Sequence, residues 1–511
     1  MSRWLRFFRR LLRDEGGAVA IMLTLSLIPL SIAAIGAVDL ERGLSAKSQL
    51  QDALDAAALA ALKASANDAA LLQSTGATAF AQNLGPAPAM KIASGPTFVY
   101  GAQGMVLADA TATVDTIIAS FVLGHPLQVA AHAEIVRSDV KLEIALVLDN
   151  SGSMADNNKI GDLRIGATNF LNIMQSAASQ RGDPNAVLIS LVPFSQTVRV
   201  DPANQNADWL DSKGHAAIND AIFSKNNTRR FDLFATLGTG WAGCLESRAQ
   251  PYDVQDDAAT GNDTRFTPYF WPDEYDTATG SRVNNYLPDG STAGWQAQER
   301  NVGKYVKRTG LSTSLGPNKD CTMLPLRPLT NDFATLRSDV SKMVPTNDTN
   351  IGMGLVWGWH TISPNGPFAS SGPVPVAPYG DPKRSKIAVV MTDGYNQFTG
   401  MGDPNNITAY EAVGYVWQGR LSKPDGAPLT GGTDDDRTAA LDARLAKLCV
   451  NMKAKGVEIY AIAVGVQPAH QEPLKSCASG TDHFYDVANG SGLIDAFNSI
   501  ANQIANLHLS R

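Results

Sequence analysis

Four short, almost uninterrupted apolar runs constrain this chain more than any other feature. They are "LEIALVLD" (Leu142–Asp149), "AVLISLVPF" (Ala186–Phe194), "KIAVVMTD" (Lys386–Asp393) and "VEIYAIAVG" (Val457–Gly465). Runs of this length, rich in Val and Ile, read as strands buried on both faces. Between and after them lie stretches with helical spacing: Ile160–Met174, Asp332–Met343, Thr438–Gly456 and Ser491–Leu509. Strands alternating with helices predict an α/β domain with a doubly wound, mostly parallel sheet. The expected domain spans residues 138–511, with large insertions at about 201–330 and 396–436. The first insertion has no clear period and carries Trp209, Trp241, Trp271 and Trp295. Its aromatics read either as a binding surface or as the core of a small subdomain.

The N-terminus follows a different rule. Arg3, Arg6, Arg9, Arg10 and Arg13 precede 21 residues without a charge, Ala18–Val38. About 20 apolar residues suffice for a helix to cross a bilayer. The expected layout is a basic cytoplasmic leader over 1–17 and a single transmembrane helix over 18–38. The positive-inside rule keeps the arginines in the cytoplasm and places the bulk of the chain across the membrane. Residues 39–137 read as a small α+β membrane-proximal region. "DLERGLSAKSQLQDALDAAALAALKASAND" (Asp39–Asp68) predicts a helix with Leu50, Leu54, Ala57 and Ala61 on one stripe. "ATATVDTIIASFVL" (Ala110–Leu123) and "LQVAAHAEIV" (Leu127–Val136) read as strands.

The net charge of −7 and the lack of any long basic tract argue against nucleic acid as a partner. Four cysteines in a non-cytoplasmic chain point to disulfides, with three pairings open. Sequence neighbours are preferred, Cys244–Cys321 and Cys449–Cys477, because each pair brackets one region.

In a parallel α/β sheet, ligands bind beyond the carboxyl ends of the strands. Asp149 and Asp393 end two of the predicted strands. Ser151 and Ser153 alternate after Asp149, and Thr349 sits where a loop runs into a helix. Two acids and three hydroxyls, with no His or Cys, suit a hard cation: Mg²⁺ first, with Ca²⁺ or Mn²⁺ as alternatives. The stretch "DNSGS" resembles the D-x-S-x-S signature of the metal-ion-dependent adhesion site in von Willebrand factor A domains. "TNIG" and "MTDG" look like that family's second and third loops, at Thr349 and Asp393. The resemblance implies a metal at Asp149, Ser151, Ser153, Thr349 and Asp393, completed by an Asp or Glu of a protein partner. The long insertion between Ser153 and Thr349 departs from the pattern.

A second resemblance covers roughly residues 14–65. "EGGAVAIMLTLSLIPLSIAAIGAVDLERG" followed by "QLQDALDAAALAA" looks like the leader of TadE/TadG-type proteins of tight-adherence (Flp) pilus assembly. Processed pilins carry Glu five residues after their cleavage point. After a cut at Gly17 that position is Met22, so an intact anchor is expected. Together the two resemblances imply a TadG-like binding and scaffold protein of the bacterial inner membrane, single-pass with the bulk of the chain in the periplasm, that assembles or anchors a Tad pilus. An exported adhesin with the same site, and a structural protein with a vestigial one, are the alternatives.

Catalysis is not expected. Gly238, Gly240 and Gly243 form a GxGxxG without the strand and helix that a dinucleotide site needs. The run Asp434–Asp436 is expected to cap a helix starting near Arg437 rather than bind calcium.

Overall fold

The computed structural model describes residues 15–64, 68–85, 90–101, 105–135, 140–280, 282–290, 293–399, 408 and 410–506. Most of the basic leader lies outside these residues, as does part of the second insertion. The chain divides into two compact units at Ser138/Asp139.

The first unit begins with α1 (Glu15–Ala64), one helix of 50 residues with Pro29 inside it. From Met22 to Ile32 its large apolar side chains are exposed on all sides, as in Met22, Leu25, Ile28 and Leu30. Farther along, Ala46, Leu50, Ala53, Leu54, Ala57 and Ala61 are buried. This Ala-rich stripe lets α1 lie close to α2 (Ala69–Leu84) and to an antiparallel sheet of β1 (Lys91–Tyr100), β2 (Val106–Val114) and β3 (Leu127–Ile135). Alternate residues of β2, from Val106 to Val114, face this core.

One expectation fails here. The second half of Ala110–Leu123 is not a strand. The strand stops at Val114, and Ile118–Leu123 forms a short helix, α3. Tertiary hydrogen bonding overrides the β-branched composition: the distant Asp39 carboxylate accepts from the backbone N–H of Ile117 and Ile118, at 2.9 and 2.6 Å.

In the second unit an eight-stranded sheet is built from β4 (Lys141–Asp149), β5 (Val187–Phe194), β6 (Val198–Arg199), β7 (Cys244–Leu245), β8 (Arg327–Thr330), β9 (Arg384–Thr392), β10 (Val457–Val464) and β11 (Phe484–Val487), in the order β11–β10–β9–β4–β5–β6–β7 with β8 pairing β5. Five of these strands, β4, β5, β9, β10 and β11, are parallel. The antiparallel members are the short β6 (Val198–Arg199), β7 (Cys244–Leu245) and β8 (Arg327–Thr330). Helices α4 (Lys159–Ser179), α5 (Phe333–Lys342) and α9 (Gly490–Ile504) cover one face. Helices α6 (Ile351–Ile362) and α7 (Asp434–Ala454) contribute to the core on the other, beside α8 (Pro468–Cys477). This is the doubly wound α/β architecture expected from the apolar runs.

The aromatics of the first insertion are core, but not of a separate subdomain. Trp241, Tyr269, Phe270 and Trp271 share one buried cluster with Val147, Val192 and Phe194 of the sheet and Trp357 of α6. The insertion extends the main core sideways, and β7 adds to the sheet itself. Both disulfides have the preferred pairing, Cys244–Cys321 and Cys449–Cys477. The helix α7 starts at Asp434, not Arg437, and its cap is Thr433. The Thr433 hydroxyl accepts from Asp436 N, and Asp436 Oδ2 accepts from Thr433 N, which closes a capping box.

Candidate metal centre

Strand register brings the two acids together. β4 and β9 are parallel neighbours with Leu148 beside Met391, so their carboxyl ends emerge side by side. Asp149 ends β4 and Asp393 follows β9. Thr392, the last residue of β9, donates its hydroxyl to Asp149 Oδ2 at 2.5 Å.

The turn after β4 is held by its own acid and by a distant loop. Ser151 N donates to Asp149 Oδ1 at 2.7 Å. Gly152 N donates to Asn347 O at 2.8 Å, and Thr346 N to Asn150 O at 2.7 Å. These bonds bring the loop before α6 against the turn. In this arrangement Ser151 Oγ lies 3.2 Å from Ser153 Oγ, which donates to Asp393 Oδ1 at 2.7 Å.

Thr349 reaches the same place through α6. Asn350 caps that helix by accepting from Met353 N at 2.9 Å. Gly354 and Gly358 have no side chain to hold α6 off the sheet. A Cβ at Gly354 would stand 2.4 Å from the Phe194 ring, and one at Gly358 2.4 Å from Val147. Gln397 N donates to Thr349 O at 2.8 Å, and Asn396 Oδ1 accepts from Ile351 N at 2.8 Å, which ties the Thr349 loop to the one after β9. A Cβ on Gly394 would lie 3.7 Å from Thr349 Oγ1 and 3.9 Å from Ser153 Oγ, so both hydroxyls face one spot. All five predicted residues therefore gather at the carboxyl edge of the sheet.

The donor set fits a hard cation. Asp149, Ser151 and Thr349 are almost fully buried, and the Asp393 side chain is inaccessible. Burial, and then repulsion from Asp393, push the Asp149 carboxyl up to about 7, while hydrogen bonds from Thr392 and Ser151 act the other way. A divalent cation between two such carboxylates would remove the repulsion and compensate the burial. Oxygen-only donors with two acids match Mg²⁺, Ca²⁺ or Mn²⁺ better than softer metals.

Two parts of the site escaped the sequence reading. Lys159 places Nζ 2.6 Å from Asp393 Oδ2. Arg282, from the aperiodic insertion, donates to Asp348 Oδ2 at 2.8 Å, to Asp320 Oδ2 at 3.0 Å and to Gln196 Oε1. Asp348 also accepts from Thr399 Oγ1 at 2.9 Å. Arg282 thus braces the residue before Thr349. Nothing in the local pattern around Arg282 signals this, because its partners are 38 to 86 residues away.

Residues 17–71 match the Tad family, described as Flp pilus-assembly TadE/G-like. The match ends before the sheet that carries the site. No curated protein sequence matches the chain. Among solved structures it is similar to the vWF domain of the type V pili tip protein Mfa5 from Porphyromonas gingivalis, at 13% identity and TM-score 0.34, covering 73% of this chain and 97% of that one. It is also similar to the pilus adhesin SpaC from Lactobacillus rhamnosus GG, at 12% identity and TM-score 0.33, over 82% of this chain. The likeness spans only 34% of SpaC. Proximal thread matrix protein 1 from the mussel byssus, in a structure with a zinc-occupied MIDAS motif, is similar at 12% identity and TM-score 0.27, over 73% of this chain and 47% of that one. These three likenesses are partial.

Proposed function

We propose that this chain is a membrane-anchored, periplasmic binding and scaffold protein that assembles or anchors a Tad (Flp, tight adherence) pilus. The observation that carries the reading is the convergence of Asp149 and Asp393 with the hydroxyls of Ser151, Ser153 and Thr349 at the carboxyl edge of the sheet. The N-terminal match supports the pilus context. α1 supplies the anchor: it is long and apolar enough to cross a membrane, and its apolar side chains from Met22 to Ile32 are exposed.

In this reading Asp149, Ser151, Ser153, Thr349 and Asp393 hold Mg²⁺, with Ca²⁺ or Mn²⁺ able to substitute. The metal supplies a coordination position for an Asp or Glu carboxylate of a protein partner. Asn350, Gly354 and Gly358 hold Thr349 in place, and Ser151 N orients Asp149. Charge complementarity at such a contact sets the partner's register more than its bulk affinity. The protein binds and positions; catalysis is not part of the reading.

Complementation tests it in the native bacterium. Wild-type protein should restore piliation to a deletion strain and stay in the inner-membrane fraction, whereas Asp149→Ala, expressed to the same level, should not restore it. Normal piliation with Asp149→Ala would make the site vestigial. Protein recovered outside the cell would favour an adhesin.

A further inference from the structure

We infer that α3 is a second membrane contact, which inserts Ile117, Phe121 and Val122 into the interface of the bilayer that α1 crosses. This rests on reading residues 18–38 as a membrane span. The height of α3 follows from Asp39. The 21 uncharged residues before it make about 31 Å of helix, against a hydrocarbon thickness of about 30 Å. Asp39, the first charge after the span, therefore stands at the rim of the hydrocarbon.

Its carboxylate is not free to move outward. It is 3% exposed, and its two oxygens accept from Ile117 N and Ile118 N at 2.9 and 2.6 Å. The start of α3 is thereby fastened to the helix at the level where the span ends. The far end of the segment is also fastened. Leu127, the first residue of β3, lies where a Cβ on Gly43 would stand 2.7 Å from its Cδ2. Gly43 is one turn beyond Asp39, about 6 Å along the axis. The loop carrying α3 is thus held beside one turn of α1, next to the span.

Between Asp115 and His125, both exposed, this loop displays large apolar side chains. Phe121 is 88% exposed, Val122 73% and Ile117 58%. Its polar groups are turned on one another. The hydroxyls of Thr116 and Ser120 lie 2.8 Å apart, and Ser120 N donates to Thr116 Oγ1 at 3.0 Å. From Thr116 to Ala133 there is no Asp, Glu, Lys or Arg. The only full charge in the loop, Asp115, stands at its β2 end and pairs with Lys91 at 3.2 Å. The stretch beyond it, uncharged and with an outward Phe, has lipid as its neighbour when held at the rim of a membrane. Aromatic and aliphatic side chains on a short element at this depth bury themselves in the headgroup boundary. A protein partner on the same patch would have to sit among the headgroups.

Depth-dependent quenching tests this on the full-length protein in vesicles of phosphatidylethanolamine and phosphatidylglycerol containing doxyl lipids. An NBD label is placed at Phe121→Cys, at Leu27→Cys in the span, and at Lys63→Cys, exposed and about 36 Å along α1 from Asp39. The four native cysteines are paired. Quenching at Phe121 several-fold above that at Lys63, together with quenching at Leu27, is the expected result. Quenching at Leu27 with none at Phe121 would overturn the contact and leave the anchor standing. A blue-shifted but unquenched label at Phe121 would place the patch against another copy of this chain and overturn the lipid contact. No quenching at Leu27 would remove the anchor, and this inference with it.

Discussion

Lys159 Nζ lies 2.6 Å from Asp393 Oδ2, with the lysine side chain 16% exposed and the aspartate side chain fully covered. Lys159 opens α4, where the helix dipole disfavours a cation. It follows the 3₁₀ segment Gly152–Asn158, which begins within the turn that presents Ser151 and Ser153. The stretch from Ser151 to Lys159 therefore offers hydroxyls to a metal and an ammonium that competes with it. Lys159→Met should tighten Mg²⁺ binding roughly tenfold, about 1.4 kcal/mol. Without metal, the stranded Asp393 should lower stability by roughly 3 kcal/mol. Calorimetry, and thermal unfolding with and without EDTA, read the two effects. Equal metal affinity in variant and wild type would show that Lys159 does not compete.

Gly358 sets the distance between α6 and β4. A Cβ there would stand 2.4 Å from Val147 Cγ2, inside a packed core. Gly358→Ala should cost about 1–3 kcal/mol through overpacking. It should also weaken metal binding, because Thr349 precedes the same helix. A variant with lowered stability and unchanged metal affinity would separate Thr349 from the site.

The disulfides should contribute unequally. They close loops of 77 residues (Cys244–Cys321) and 28 residues (Cys449–Cys477). Loop-closure entropy gives about 4.5 and 3.6 kcal/mol. Paired Cys→Ala replacements, compared by thermal unfolding, should show the larger loss for Cys244–Cys321, which joins the first insertion to itself beside β7.

The fold was legible because the runs ending at Asp149, Phe194, Thr392 and Val464 are apolar on both faces, a pattern that only a covered parallel sheet satisfies. Even Glu143 inside the first run fits once Lys386 is seen donating to it at 2.5 Å. The five oxygens were legible because strand ends and loop starts are local features. Lys159, Arg282 and the Asp39 cap on α3 were not. Each makes its contact across a long stretch of chain: 234 residues for Lys159, 78 for Asp39 and 38 to 86 for Arg282. The aromatic insertion was half legible: its composition announced a core, but nothing local showed that this core continues the main one.

His483 should make stability depend on pH. Burial opposes its charge, but hydrogen bonds to Glu458 and Asp482, both at 2.7 Å, outweigh it and raise its pKa above the usual value. A histidine raised on folding stabilises fully below its unfolded pKa, near 6.5, and loses that contribution as pH rises through the folded value. Thermal stability should therefore fall on going from about pH 6 to pH 8, and His483→Gln should flatten that slope. A variant with the wild-type slope would place the titration elsewhere.

Mg²⁺ calorimetry on the full-length protein in detergent, beside its Asp149→Ala, Asp393→Ala variant, tests the metal centre most directly. Saturable binding of one ion by the wild type, lost in a variant that keeps its folded circular dichroism, is the predicted result. A folded wild type that takes up no Mg²⁺, Ca²⁺ or Mn²⁺ would contradict it.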